Sequence, residues 1–130
     1  MADTARQRNT GEEKAGQGAA PAFDRGHLMA QAMQDEVLAA EVLGLFLAQL
    51  PQLVEALGAA VKPEEWASAA HALKGAAASI GAFRLQALAA ELETTGFSAD
   101  QQVRQLRLQA VRAGALVFRM AAREAFPTRA

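Results

Sequence analysis

The stretch "AHALKGAAASIG", from Ala70 to Gly81, decides how the central part of this chain folds. Alanine is the strongest helix former, whereas a glycine inside a helix costs about 1 kcal/mol relative to alanine. The stretch therefore predicts a helix despite Gly75, and Gly81 is suited to end it. The internal glycine needs an explanation, and the helix face that it shares with His71 is the place to look for one.

Successive residues of an α-helix are rotated by about 100°, which places His71 and Gly75 on the same face. Lys74, Ala67 and Ala78 lie within about 60° of His71 on that face. The apolar positions gather near the opposite side and form the predicted core stripe. They are Trp66, Ala70, Leu73, Ala77 and Ile80. His71 is therefore predicted to project away from the core, from a surface of small side chains that also carries one lysine.

Helical periodicity continues on both sides of this segment. Asp24 and Asp35 are suited to cap a short helix and the longer helix that follows it. Phe23 is an apolar anchor just before the first cap. Glycines and prolines separate the remaining helices. The predicted bounds of the four longer helices are residues 36–57, 63–80, 83–95 and 100–125.

Each of the other long helices also has a predicted core stripe. In the second helix it consists of Ala39, Val42, Leu43, Phe46, Leu50, Leu53 and Leu57. In the fourth it consists of Leu85, Leu88 and Leu92. In the last it consists of Val103, Leu106, Ala110, Ala113, Val117 and Met120.

Pro51 lies inside the second helix, where it removes one backbone hydrogen bond and favours a kink. One bent helix is predicted, because the apolar stripe stays in phase across the proline. The short connections between amphipathic helices predict an all-α fold. Its expected architecture is an antiparallel up-and-down four-helix bundle with a short N-terminal helix.

The chain has 130 residues, which is enough for one domain with its own core. Residues 1–20 contain no aliphatic side chain larger than alanine apart from Met1, and they cannot bury enough apolar surface to offset the entropy of ordering. A disordered tail is therefore predicted over residues 1–20, and the helical domain over residues 21–130.

Composition excludes several classes of protein. The chain has no cysteine, which excludes a disulfide framework and thiolate metal sites. Its formal net charge of −1 provides no basic field for nucleic acid. No run of about 18 apolar residues is evident, and the N-terminus lacks the apolar segment of a secretory signal. A cytoplasmic protein is therefore expected, with neither nucleic acid nor a membrane as its partner.

The combination of His71, Lys74 and Gly75 suits phosphoryl transfer. Free histidine has a pKa of about 6.5, so at neutral pH much of it is an unprotonated nucleophile. A phosphoryl group spreads negative charge over three oxygens, which a nearby ammonium stabilises. A glycine one turn along the helix leaves room for a partner's active site to close over the ring.

Spacing alone leaves two other interpretations of the histidine open. A single histidine on a helix is more often merely solvated, and small residues are expected on every face of a chain so rich in alanine. A metal site needs several ligands, whereas the chain has only His27 and His71, neither with a second histidine four residues away. His27 is expected on a polar helix surface, and no metal is expected to bind.

Residues 69–93, "AAHALKGAAASIGAFRLQALAAELE", resemble the histidine-containing phosphotransfer (HPt) domain of bacterial two-component phosphorelays. The similarity extends upstream to "LGLFLAQLPQLVEAL", residues 43–57, with its mid-helix proline, and covers about residues 22–125. The turn before the third helix departs from the family, because "KPEE" stands where Gly-Asp is frequent. The residues that match the family pattern are His71, Leu73, Lys74, Gly75, Gly81, Leu85, Leu88, Leu92 and Glu93.

The resemblance implies a role for each residue of the outward face. His71 would be the phosphorylated residue, and Lys74 would stabilise the phosphoryl group. Gly75 would leave clearance for a docking receiver domain. Ala67 and Ala78 would lie under that domain as well.

Residues on the other helices are interpreted separately. On the second helix, Gln49 and Leu45 flank the core stripe near the height of His71; Gln49 is a candidate docking residue, and Leu45 is interpreted first as ordinary core. Glu93 is interpreted as a solvated helix end. The arginines of the last helix are interpreted as a solvated face, with steering of an acidic receiver as the alternative. They are Arg104, Arg107, Arg112, Arg119 and Arg123.

By this resemblance, the chain would accept a phosphoryl group on His71 from the phosphoaspartate of a receiver domain and pass it to another receiver. It would be a phosphocarrier and not an enzyme, since it has no Gly-rich ATP-binding loop. It would bind no cofactor, because the receiver would carry the magnesium. The expected partners are response-regulator receiver domains, among them those of a hybrid histidine kinase, and the expected state is a monomer.

Two further classes of protein compete with this interpretation. A non-catalytic helical adaptor would dock receiver domains without transferring phosphate. The dimerising helical domain of a histidine kinase ranks last, because it needs an acidic residue directly after the histidine, where Ala72 stands.

Overall fold

A computed structural model describes residues 20–97 and 100–127, and this part of the chain is all-helical, as predicted. The long helices begin and end within two residues of their predicted bounds. The predicted tail lies outside the described residues except for Ala20, so the division of the chain near residue 20 stays a prediction. The helices are α1 (Arg25–Gln31), α2 (Glu36–Ala59), α3 (Pro63–Ile80), α4 (Phe83–Thr95) and α5 (Gln101–Ala125).

The predicted start and stop signals act at the helix ends. The Asp24 carboxylate accepts a hydrogen bond of 3.0 Å from the backbone N–H of His27, and Asp35 caps α2 in the same way. Pro63 occupies the first turn of α3. Gly81 ends α3 in the left-handed conformation, with a φ of +88°. Helix α2 continues through Pro51 as one helix, as the phase of its apolar stripe predicted.

The long helices pack in a ring. Helix α3 contacts α2 on one side and α4 on the other, and α5 likewise contacts α4 and α2. Helices α3 and α5 therefore occupy opposite corners of the ring. The short α1 packs against α2 and α3.

Aromatic rings fill one end of the core. The ring of Phe118 on α5 makes edge-on contacts with Phe46 on α2 and with Phe23, at centroid distances of 5.3 and 5.5 Å. Phe23 thus acts as the predicted anchor before α1. At the other end, the indole N–H of Trp66 donates a 3.0 Å hydrogen bond to the backbone oxygen of Leu92. This bond fastens the last turn of α4 to the first turn of α3.

The core stripe of α5 differs from the prediction. Helix α5 carries two apolar stripes of the same spacing, and periodicity alone does not choose between them. The bundle buries the stripe that contains Phe118, because that ring fills the space between Phe23 and Phe46. The buried residues are Leu108, Val111, Ala115, Phe118 and Ala122. The prediction was wrong for Val103, Leu106, Ala110, Ala113, Val117 and Met120, none of which is buried.

Two single-residue predictions also need correction. Val42 is 38% exposed, and Val54 is buried in α2 instead. His27 does not lie on a polar surface. Its ring packs edge-on against Phe83 at 5.1 Å, and its Nε2 is buried without a hydrogen-bond partner among the described residues.

Helix α2 is long and apolar enough to cross a membrane by length and composition alone. The sequence still contains no uninterrupted run of about 18 apolar residues, because Glu41, Gln49 and Glu55 lie within α2, and the absence of a membrane partner stays a prediction. The core helix of a bundle passes the same test, and the buried 28% of the apolar window of α2 packs in the core between α3 and α5. Its composition is accordingly weak evidence for a membrane span.

Substitution by alanine is expected to have opposite effects at Gly81, the C-cap of α3, and at Gly75, inside that helix. At Gly81 the φ is +88°, and an added Cβ would lie 2.8 Å from the backbone oxygen of Asp24. We expect Gly81→Ala to lower the free energy of unfolding by about 2–3 kcal/mol. At Gly75 an added Cβ meets nothing within 4 Å, so Gly75→Ala should raise it by up to about 1 kcal/mol. Equilibrium urea unfolding measures both, and changes of the same sign would contradict this account.

Candidate functional site

The outward face of α3 has the composition that the helical wheel predicts. The His71 side chain is 75% exposed. Ala67 and Gly75 are exposed next to it, and Lys74 and Ala78 are half-buried. The opposite face of α3 is buried throughout, from Trp66 to Ile80. The imidazole therefore stands clear of the bundle, as predicted.

Glu93 on α4 joins the two polar side chains of this face. One carboxylate oxygen, Oε2, lies 3.1 Å from Nδ1 of His71, and the other, Oε1, lies 2.6 Å from Nζ of Lys74. The Glu93 side chain is 28% exposed and that of Lys74 is 33% exposed, so both are partly shielded from water. One carboxylate thus holds the imidazole and the ammonium beside each other.

The packing of α4 against α3 explains why Glu93 reaches this position. Gly81 turns the chain so that α4 returns alongside α3. Leu92 is fully buried, and its backbone oxygen accepts the hydrogen bond from Trp66. Because Leu92 is fixed toward the core, the next residue, Glu93, is turned toward the outer edge of α3, where His71 and Lys74 lie.

The pKa of the Glu93 carboxyl lies below its ordinary value, mainly because the Lys74 ammonium donates a hydrogen bond to it. Partial burial opposes this effect, and the hydrogen bond with His71 adds to it. A carboxyl whose pKa is lower in the folded state stabilises the fold at pH values above its unfolded-state pKa. That stabilisation is lost as the pH falls through the folded-state pKa. At neutral pH the carboxylate is therefore ionised.

The ionised carboxylate determines which nitrogen of His71 is free. A carboxylate can only accept hydrogen bonds, so Nδ1 of His71 must be the donor in their contact. In the neutral ring the proton then resides on Nδ1, and Nε2 carries the lone pair. The site consequently offers Nε2 as a nucleophile, directed away from Glu93.

Sequence reasoning assigned Glu93 to a solvated helix end, and that interpretation was wrong. Glu93 lies 22 residues after His71 on another helix, so helical spacing could not pair the two. The available signal was its place at the end of the family pattern, directly after the buried Leu92.

The neighbouring surface of α2 is more apolar than expected. Leu45 is 73% exposed, so its interpretation as ordinary core was wrong. Gln49 is exposed one turn further along the same helix. Gly75 on α3 adds to the open surface, because a Cβ placed there meets nothing within 4 Å. The fold therefore does not require a glycine at position 75.

The basic residues of α5 are not simply a solvated face. The guanidinium of Arg104 lies over the ring of Phe97 at 4.2 Å, and Arg107 forms an ion pair of 3.3 Å with Glu91. Within residues 20–97 and 100–127, no group of three His, Cys, Asp or Glu side chains could hold a metal ion.

Comparison with known proteins gives one family. A model of the Hpt domain matches residues 41–119, which include His71, Lys74, Gly75 and Glu93. No curated protein and no solved structure gives a significant match to the chain.

The match defines the class of protein, since Hpt domains are phosphocarriers and not enzymes. Because the match covers more than half of the chain, the chain belongs to the Hpt family. Domains of this family carry out histidine phosphotransfer in phosphorelays and interact with the receiver domains of response regulators.

The contacts of Glu93 predict how its titration responds to substitution. Lys74→Ala should raise the pKa of Glu93 toward its ordinary value, because the strongest hydrogen bond to the carboxylate is lost. Lys74→Arg keeps a cation in place and should keep this pKa low. His71→Ala should raise it less than Lys74→Ala does. Carboxyl carbon NMR titration measures each value, and a larger effect of His71→Ala would contradict the dominant role of Lys74.

Proposed function

We propose that this chain is a phosphorelay intermediate that accepts a phosphoryl group on His71 from the phosphoaspartate of one receiver domain and passes it to another receiver. One observation carries the proposal. It is the exposed imidazole whose Nδ1 lies 3.1 Å from the Glu93 carboxylate, with Lys74 bound to the same carboxylate.

The transfer step follows from the free nitrogen of His71. The Nε2 lone pair attacks phosphorus as the bond between phosphorus and the aspartate oxygen breaks, and the aspartate leaves as a carboxylate. No proton needs to move, because Nδ1 keeps its own. The ring becomes a phosphoimidazolium, and its positive charge lies against the Glu93 carboxylate. Transfer to the second receiver is the same step in reverse.

Lys74 and Glu93 have separate roles in this proposal. Glu93 orients the ring through Nδ1 and stabilises the imidazolium, so it is a positioning residue. Lys74 is held near the ring by Glu93, and its long flexible side chain can reach a phosphoryl group on Nε2. The ammonium would then stabilise the charge on the phosphoryl oxygens.

The partner completes the reaction. No Gly-rich ATP-binding loop occurs in the sequence, and we assign the magnesium and the remaining catalytic groups to the receiver. The scaffold in this proposal is an antiparallel up-and-down bundle, which the short connections between consecutive packed helices support. We place the exchange in the cytoplasm, in keeping with a chain that has no cysteine.

The receiver would dock over the open surface of α3 and the adjoining surface of α2. On α3 that surface is formed by Ala67, Gly75 and Ala78, none of which would obstruct a visiting domain. On α2 the exposed Leu45 offers an apolar contact, with Gln49 beside it. An exchange that must release its partner after each transfer suits a small interface.

Substitution of the histidine tests the proposal directly. Incubation with a phosphorylated receiver should label the wild-type chain with an acid-labile phosphate, and His71→Ala should remove the label completely. Lys74→Ala should slow labelling by about 10- to 100-fold, the effect of losing a charge-assisted hydrogen bond. Radiolabelled phosphate transfer followed over time gives both rates.

The second histidine provides the matched control. His27 is the only other histidine in the chain, and it packs against Phe83. His27→Gln should retain full labelling. Label that persists in His71→Ala would overturn the site assignment. A chain that binds the receiver without gaining phosphate would be the non-catalytic adaptor.

Enlarging Gly75 tests the docking surface. Gly75→Leu should leave the fold intact, because open space surrounds the position, but should weaken receiver binding by at least about tenfold through steric obstruction. Gly44→Leu is the matched control. Gly44 is also a helical glycine with open space, and it lines the groove between α2 and α5 on the other side of α2. Calorimetric titration with the receiver should show weaker binding for the first variant alone; equal losses would contradict the proposed surface.

A further inference from the structure

Helix α5 carries an apolar stripe that the bundle does not bury. We call it the outer stripe. Its members are Val103, Leu106, Ala110, Ala113, Val117 and Met120. Leu106 and Met120 are 65% and 61% exposed, and Val103 and Val117 are 37% and 41% exposed. Leu116, 59% exposed, widens the stripe on one side.

The spacing of the outer stripe is that of a coiled-coil seam. Its members follow one another at intervals of three, four, three, four and three residues. This alternation has a period of 3.5 residues, which keeps apolar side chains against a second helix along its whole length. The stripe extends over about 25 Å of helix and contains no charged residue. Such a surface fits a helix with the same spacing.

The outer stripe is complementary to itself. When two copies of α5 run antiparallel about a two-fold axis between Ala110 and Ala113, the two alanines face each other at the centre. Leu106 then faces Val117 of the second copy. At each end, Val103 faces the longer Met120. Small side chains meet at the centre and larger ones toward the ends, so every member of the stripe has a partner.

Two arginines flank the outer stripe, and the contacts of both direct them away from it. Arg107, on the edge toward α4, is engaged by Glu91. Arg112 lies on the side toward α2, where its guanidinium is close to Gly58. Neither guanidinium is directed across the stripe. Antiparallel helices also place the opposite ends of their dipoles side by side, which favours this orientation over a parallel one.

We propose that a second copy of this chain covers the outer stripe, forming a two-fold dimer through antiparallel α5 helices. The proposal replaces the expectation of a monomer. Helix α3 lies at the corner of the bundle opposite α5, so the dimer leaves both copies of His71 accessible. Each copy would then dock its own receiver.

The mass in solution tests the dimer. An interface of one helix pair is small, so we expect a micromolar dissociation constant and a mass near twice 13.7 kDa at about 100 µM chain. Leu106→Glu and Met120→Glu should each weaken association by at least about 30-fold, because each substitution places two glutamates, one from each copy, in the dimer interface. Sedimentation velocity over a concentration series measures these constants.

A third glutamate variant controls for added charge. Val61, 73% exposed in the loop between α2 and α3, lies outside the stripe, so Val61→Glu should remain dimeric. A wild-type chain that is monomeric at about 100 µM would overturn the proposal. Dimers that survive both stripe variants would overturn it too. Phosphate labelling of the Leu106→Glu monomer should match the wild type, which separates this test from that of the proposed function.

Cross-linking tests the antiparallel direction. The chain has no cysteine of its own, so any disulfide must form through the single cysteine introduced in each variant. Leu106→Cys and Val117→Cys should form a disulfide only when the two variants are mixed, because those positions face each other in the antiparallel pair. In either variant alone the two cysteines are separated by about 16 Å along the helix axis. Efficient cross-linking of Leu106→Cys with itself would overturn the antiparallel arrangement.

Discussion

The packing of α4 against α3 is the constraint on which the functional site depends. Gly81 permits the sharp return of the chain, and the hydrogen bond from the Trp66 indole to the Leu92 backbone fixes the end of α4. Glu93 follows directly and meets His71 and Lys74. The orientation of the imidazole is therefore a consequence of core packing. A change that loosened the last turn of α4 would release the ring without touching it.

The domain contributes the position of the histidine, and in the proposed transfer its partner supplies most of the chemistry. A buried histidine would be better protected but could not enter the active site of another protein. Here the ring is largely exposed, and only its Nδ1 is held, by the partly buried carboxylate of Glu93. Small residues surround it, and Gly75 occupies a position where the fold would accept a side chain. The glycine makes α3 less stable there but leaves the imidazole accessible, as the proposed transfer between two receivers requires.

Helix α5 shows how periodicity can identify a helix and still assign its buried face wrongly. The period of an apolar pattern predicts that a helix has an apolar face. Two faces of α5 have the same period, so the period does not indicate which of them is buried. Phe118 decides between them, since its ring fits between Phe23 and Phe46 and nothing on the other stripe matches that volume. The remaining stripe is left at the surface, where its regular spacing gives it the properties of a contact between helices.

The sequence by itself determined the helices, their caps and the outward direction of His71, because these depend on spacing within one segment and on side chains a few residues apart. Only the tertiary structure decided that Glu93 belongs to the site, that Leu45 is exposed and that His27 packs against Phe83. Those outcomes depend on which helices are neighbours and how they are rotated about their axes. That rotation is set by the volumes of side chains from several helices together, which no single segment encodes.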